Sequence, residues 1–225
     1  MPKLEIKQRP LLTRPESFQD VPSFIAQILA RRGVESQQEL ELKLKYLLAP
    51  SMKGLPEAIQ LIDAAIDAGQ KIVIVGDYDA DGATSTALML LALRDMGADV
   101  NYLVPDRFKY GYGLTPAIAD LAFASFTPDL LITVDNGISS HDGVKQAQDH
   151  GMQVIITDHH LTTKPTPAAE AVVNPNQLGC EFPSKALAGV GVAFYVLANL
   201  STHRKKLGKS STVITNYLDL VALGT

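Results

Sequence analysis

A single cysteine, Cys180, excludes an internal disulfide and a thiolate zinc cage, as expected of a protein in a reducing cytoplasm. Long hydrophobic runs are also missing. The longest uncharged stretch, Ala186 to Thr202, falls short of the roughly 20 apolar residues of a membrane helix and reads as a buried helix with its entry loop. The opening MPKLEIKQRP lacks the apolar core of a signal peptide, so the expectation is a cytoplasmic protein with no membrane contact. Neither sign of charge dominates: 20 basic against 24 acidic residues give a net charge of −4. A polycation is excluded, and any nucleic-acid binding must come from local patches or bound metal. There is no internal repeat and no low-complexity tract. What is present is ordinary globular composition, 46% hydrophobic and 20% charged, over 225 residues, enough for one large or two modest domains.

Residues 1–20 are polar, carry Pro2, Pro10 and Pro15, and predict an extended arm. From Phe24 to Leu48 apolar residues recur at helical spacing around a break at Gly33, and a further helix is predicted over Pro56 to Ala68. After Gly69 the rhythm changes. Lys71–Val75, Val100–Val104, Leu130–Val134, Gln153–Thr157 and Ala171–Val173 are short β-branched runs, mostly apolar throughout, as in strands buried on both faces. Helical segments over Ala83–Met96, Pro116–Phe123, Ser140–His150 and Ala188–Leu200 separate or follow them. The alternation predicts an α/β fold: a doubly wound, mainly parallel sheet with helices on both faces, preceded by a helical N-terminal region over residues 1–50.

The carboxylates fall where such a sheet binds ligands, at the carboxyl ends of strands. The first strand runs into Gly76-Asp77-Tyr78-Asp79-Ala80-Asp81-Gly82, the third into Asp135-Asn136-Gly137, and the fourth into Asp158-His159-His160. Taken singly, each is weak: Asp-Asn-Gly is an ordinary turn, and a His-His pair is usually surface. Together they place like charges that repel in one crevice, and divalent cations are the simplest counter-charge. Carboxylate sites suit magnesium or manganese, and an added imidazole shifts the preference toward manganese. Two ions about 3.5–4 Å apart, bridged by one carboxylate, would use them all. The acidic run is not a calcium loop, since position 88 is Leu88 where that loop needs Glu, and a strand precedes it. Gly189-Val190-Gly191 lacks the third glycine of a dinucleotide-binding loop, and no Asp-x-Asp-x-Thr phosphatase run follows the first strand. Small residues from Gly82 to Ser85 open a helix directly after the acids, where a phosphate would be attracted.

With these residues assembled, residues 50–225 resemble the DHH phosphoesterase family, and within it the branch of single-strand-specific 5′→3′ DNA exonucleases. Asp77 to Gly82 resembles the first motif, Asp135 to Ser139 the second, and Asp158-His159-His160 the triplet that names the family. Asp219 matches a fourth. Pro105 to Phe108, Gly111 to Leu114, Asn174-Pro175-Asn176 and Leu187 to Phe194 resemble the exonuclease branch. The resemblance implies a catalytic domain over residues 51–225, with the family's second domain and an OB module expected beyond it. It implies phosphodiester hydrolysis of single-stranded DNA with two Mn2+ or Mg2+ ions, in recombination and repair, beside a single-strand-binding protein and a helicase. On this basis Asp77, Asp79, Asp81, Asp135, His159 and Asp219 are expected metal ligands, with Asp135 bridging. Asp77 also serves as an expected catalytic group. His160 is expected to act as acid or phosphate contact, Asp158 to orient a histidine, and Arg107, Tyr112 and Ser85 to meet substrate. Phe108 and Tyr110 are further stacking candidates, and the basic run His203 to Lys206 with Lys209 reads as a solvated linker. Two other readings stand: a family member acting on short oligonucleotides or cyclic dinucleotides, and a non-catalytic DNA-binding scaffold.

Overall fold

The computed structural model describes residues 7–41 and 43–225; Met1 to Ile6 of the expected arm, with Pro2, lie outside the described residues. The chain divides into two compact units, Met1–Ala49 and Pro50–Thr225. In the first, helix α1 (Ser23–Arg31) buries Ala26 and Ala30 against Phe18. The second half of the predicted helical stretch is not α-helical. It forms 3-10 turns over Gln37–Leu40 and Leu44–Tyr46, none of whose described residues is buried, and Leu44, Leu47 and Leu48 are exposed. Apolar spacing alone does not sustain a short helix. Nucleation is unfavourable unless a tertiary face receives the stripe, and the three-residue core of this unit offers little.

In the second unit five parallel strands lie in the order β2-β1-β3-β4-β5: β1 (Lys71–Gly76), β2 (Asp99–Leu103), β3 (Leu130–Val134), β4 (Gln153–Thr157) and β5 (Ala171–Val173). Alternate residues face opposite layers. Ile72 and Ile74 pack with α2 (Leu55–Asp67), α3 (Ala80–Asp95) and α7 (Gly189–Lys206), whereas Val73 and Val75 pack with α5 (Pro116–Phe126) and α6 (His141–Asp149). A four-residue helix α4 (Arg107–Tyr110) follows β2, and α8 (Leu218–Gly224) closes the chain against α3. The sheet is thus doubly wound with helices on both faces. The chain leaves β1 for β2 on one side and returns to β3 on the other, so the topological switch point lies between β1 and β3, where ligands of such sheets bind. No helix of the described residues is long and apolar enough to cross a membrane.

The basic run near the end is not a solvated linker. His203 to Lys206 form the last turn of α7, and Arg204 is buried. Its Nη1 donates to Asp63 Oδ1 at 2.5 Å and Asp67 Oδ1 at 3.1 Å, its Nε donates to the Ser210 carbonyl, and Lys209 Nζ reaches Asp63 Oδ2 at 2.6 Å. The cations are drawn inward because α2 presents two carboxylates one helical turn apart.

Candidate metal centre

Helix α3 starts at Ala80, three residues before the sequence places it, which puts Asp81 in the helix's own first turn and Asp79 at its cap. Asp79 is the N-cap: its Oδ1 accepts the Gly82 N–H at 2.9 Å. Gly82 must lack a side chain, since a Cβ there would stand 2.5 Å from the Asp77 carbonyl oxygen. The tight first turn thereby keeps Asp77 and Asp79 beside the end of β1.

Across the switch point, Asp135 follows β3 with φ +60°, a conformation costing on the order of 1–3 kcal/mol for a residue with a side chain. The next residue fixes the turn: Asn136 Nδ2 donates to the Val75 and Val134 carbonyls, and Thr133 donates to the Asn136 carbonyl. Asp135 is 2% exposed. Its Oδ1 accepts no well-aligned hydrogen bond, although His159 Nε2 stands 3.1 Å away. Burial pushes the Asp135 carboxyl above its ordinary pKa, and the same carboxylate holds the His159 ring above its own.

After β4, Asp158 is buried, with Oδ2 accepting the Ile138 N–H at 2.8 Å and Oδ1 facing His160 Nδ1 at 2.7 Å. Burial raises its pKa, but the bonds from His160 and the Ile138 N–H outweigh this and keep it below the ordinary carboxylate range. In return the Asp158 hydrogen bond pushes His160 up to about 9. His160 Nε2 lies 3.2 Å from the Tyr112 hydroxyl.

Ligand atoms converge in two groups. One oxygen from each of Asp77, Asp79 and Asp135 lies within 4.8 Å of the others, and so do single atoms of Asp135, His159 and His160. Asp135 belongs to both. Asp81 stands at the rim, 3.6 Å from His159 Nε2, with its two oxygens accepting the N–H groups of Gly189 and Val190 at 2.7 Å each. It thus caps α7, whose positive N-terminal end faces the acids together with that of α3. Asp219 is exposed in the first turn of α8 and belongs to neither group.

The expected substrate contacts divide. Ser85 is fully buried, its hydroxyl 3.5 Å from Asp81 Oδ1; at that depth it buttresses Asp81 and cannot touch substrate. Arg107 Nη2 pairs with both oxygens of Asp77 at 3.1 and 3.3 Å, and its guanidinium lies 3.6 Å from the Tyr78 ring centroid. Tyr110 is partly buried against the core, whereas Phe108 is 94% exposed and Tyr112 is half exposed. A cleft of about 450 Å3 opens beside His160, lined among others by Tyr112, Thr115, Ser139, Ser140 and Lys164.

The family model for the N-terminal domain of the DHH family matches residues 71–225. The chain is 46% identical to the single-stranded-DNA-specific exonuclease RecJ of Escherichia coli (strain K12), over 99% of this chain and 40% of that protein. It is 40% identical to RecJ of Bacillus subtilis (strain 168), over 97% of this chain and 28% of the relative. The crystal structure of RecJ in complex with Mn2+ from Thermus thermophilus aligns with a TM-score of 0.73 at 33% identity, covering 92% of this chain and 28% of that one. A second structure, of exonuclease RecJ bound to manganese, gives 0.69 at 37% identity, covering 80% of this chain and 44% of that one. The chain spans two fifths or less of the length of these curated relatives.

Proposed function

The chain belongs to the DHH family, and from that premise we propose that it carries the metal centre of an exonuclease hydrolysing single-stranded DNA from the 5′ end. The observation that carries this reading is the buried, conformationally strained Asp135, whose Oδ1 lacks an aligned partner amid other carboxylates and a histidine. A lone buried carboxylate of this kind is costly unless a cation completes it. The donor set of oxygens and imidazole nitrogen fits Mn2+ or Mg2+, with Asp77, Asp79 and Asp135 around one position and Asp135 and His159 beginning a second. Once bound, such ions supply Lewis acidity and a nucleophile at neutral pH.

The rest is work for the chain's own groups. Arg107, fixed by Asp77 and Tyr78, keeps further N–H donors for a phosphate oxygen. His160, whose Nδ1 is held by Asp158, stands at the mouth of the cleft, where its other ring nitrogen can meet an anionic oxygen. Phe108 and Tyr112 offer stacking faces to unpaired bases, and the cleft beside Tyr112 is of a size that takes a nucleotide. The relatives named single-stranded-DNA-specific supply the substrate class.

The test uses oligonucleotides labelled at either end, with manganese, against blunt duplex. Mononucleotides released from the 5′ end of the single strand, with the duplex spared, are expected. Release of the 3′ label first refutes the polarity, and a melting temperature indifferent to manganese refutes the metal centre.

A further inference from the structure

The segment between β5 and α7 contributes no metal ligand to this reading, yet it touches the centre at two points and leads into the α7 residues that touch it again. Asn174 is fully buried, and its Nδ2 donates to the His160 carbonyl at 3.1 Å. Asn176 Nδ2 donates to the His159 carbonyl at 2.5 Å. The two asparagines are locked to each other, since the Asn176 N–H donates to Asn174 Oδ1 at 2.7 Å. At its far end the same segment runs into Gly189 and Val190, whose N–H groups hold both oxygens of Asp81. Gly189 also presses so closely on Asp135 that a Cβ there would lie 2.6 Å from Oδ1.

The segment is itself anchored. Lys185 Nζ donates to the Pro175 and Cys180 carbonyls, Asn176 Nδ2 also reaches the Lys185 carbonyl, and Gln177 Nε2 donates to the Val172 and Lys53 carbonyls. Free asparagine side chains in a loop would swing between rotamers. Here both have their carboxamides spent on the two histidine carbonyls, in a loop pinned at both ends. A carbonyl fixed in this way fixes the peptide plane, and with it the direction in which each ring leaves the backbone.

We infer that Asn174 and Asn176 are positioning residues for the metal centre, aiming His159 and His160 through their backbone carbonyls. This inference rests on the metal-centre reading above. Groups that orient ligands without touching the metal commonly govern about 10–100-fold in affinity or activity. Asparagine suits the task because one carboxamide carries both a donor and an acceptor, so Asn174 can hold a carbonyl and receive an N–H at once.

The experiment measures Mn2+ affinity by calorimetry on the whole chain, with metal-free melting temperature recorded in parallel. Asn176 is only half-buried, so Asn176→Leu keeps the shape and removes the donor. Lys185→Met loosens the loop without touching either histidine, and Gln148→Ala, on α6, serves as a control for generic destabilisation. Manganese affinity should fall about 10–100-fold in Asn176→Leu and less in Lys185→Met. The control should keep wild-type affinity even where it melts as early as the others. Unchanged affinity in both loop variants overturns the inference while leaving the metal centre standing. Equal losses in the control also overturn it, by showing that stability alone sets affinity. A wild-type chain that binds no manganese overturns the metal-centre reading and this inference with it.

Discussion

Replacing Arg204 with methionine keeps most of the side-chain stem and removes a guanidinium that makes three hydrogen bonds, to Asp63, Asp67 and the Ser210 carbonyl. Asp63 is 7% exposed, so losing its partner strands a carboxylate largely out of water. Stranding one member of a buried pair costs about 3–5 kcal/mol. Asp63 retains Lys209 at 2.6 Å and His203 at 3.5 Å, which places the expected cost near the lower end, about 3 kcal/mol. In a unit of this size each kcal/mol moves the melting temperature by about 2–4 °C, so a fall of roughly 6–12 °C is expected. Differential scanning calorimetry of the chain reads it directly. Lys205→Met, one residue away and exposed, supplies the comparison and should stay within about 2 °C. If Arg204→Met also stays within that margin, the guanidinium is solvated and the ion-pair network between α2 and α7 carries no stability.

Three further outcomes are expected. Asp135→Asn removes a buried charge and leaves a residue that tolerates positive φ; it should raise the metal-free melting temperature and abolish the manganese-induced rise. In the wild type the stabilisation behind that rise should reach about 2.7 kcal/mol at a hundredfold excess of metal over Kd, and a rise preserved in the variant would contradict the role given to Asp135. Gly189→Ala drives a methyl to 2.6 Å from Asp135 Oδ1 and should cost about 1–3 kcal/mol in stability, together with weaker manganese binding; wild-type values for both by calorimetry would show that the contact yields freely. Phe108→Ala, at a side chain 94% exposed, should leave folding and metal affinity unchanged while weakening single-stranded DNA binding by about 1–3 kcal/mol for one lost stack, measured by fluorescence anisotropy. Undiminished DNA affinity would remove Phe108 from the nucleic-acid surface.

The sheet was legible in the sequence because its signals are local. Three of the five β-branched runs have the bounds read from the sequence, and the other two shift by a residue. Each acid motif directly abuts a strand end, so topology alone carries Asp77, Asp135 and Asp158 to one edge. What was not legible depends on partners far along the chain. Nothing around Arg204 announces Asp63, which lies on another helix, so a run of basic residues reads as solvated. The small residues after the acids suggested room for a phosphate at Ser85, but the helix begins earlier and turns that hydroxyl inward. Leu44, Leu47 and Leu48 had helical spacing without a surface to cover. The support given to His159 and His160 by Asn174 and Asn176 was invisible for a similar reason: side-chain-to-carbonyl bonds across more than a dozen residues leave no periodic trace.

Helix α7 is fastened at both ends. Its first two N–H groups sit on Asp81, and Arg204, in its last turn, sits on Asp63 and Asp67. Its 18 residues make a rod of about 27 Å. One residue inserted or deleted between those anchors would advance the rod by about 1.5 Å and rotate everything beyond it by about 100°. Either Arg204 would then point away from α2, or Gly189 would leave its seat against Asp135. The length of α7 is therefore a gauge: only Thr202, Lys205 and Lys206 near its end are exposed to free exchange, and the number of residues between Gly189 and Arg204 sets whether this chain can make both anchors at once.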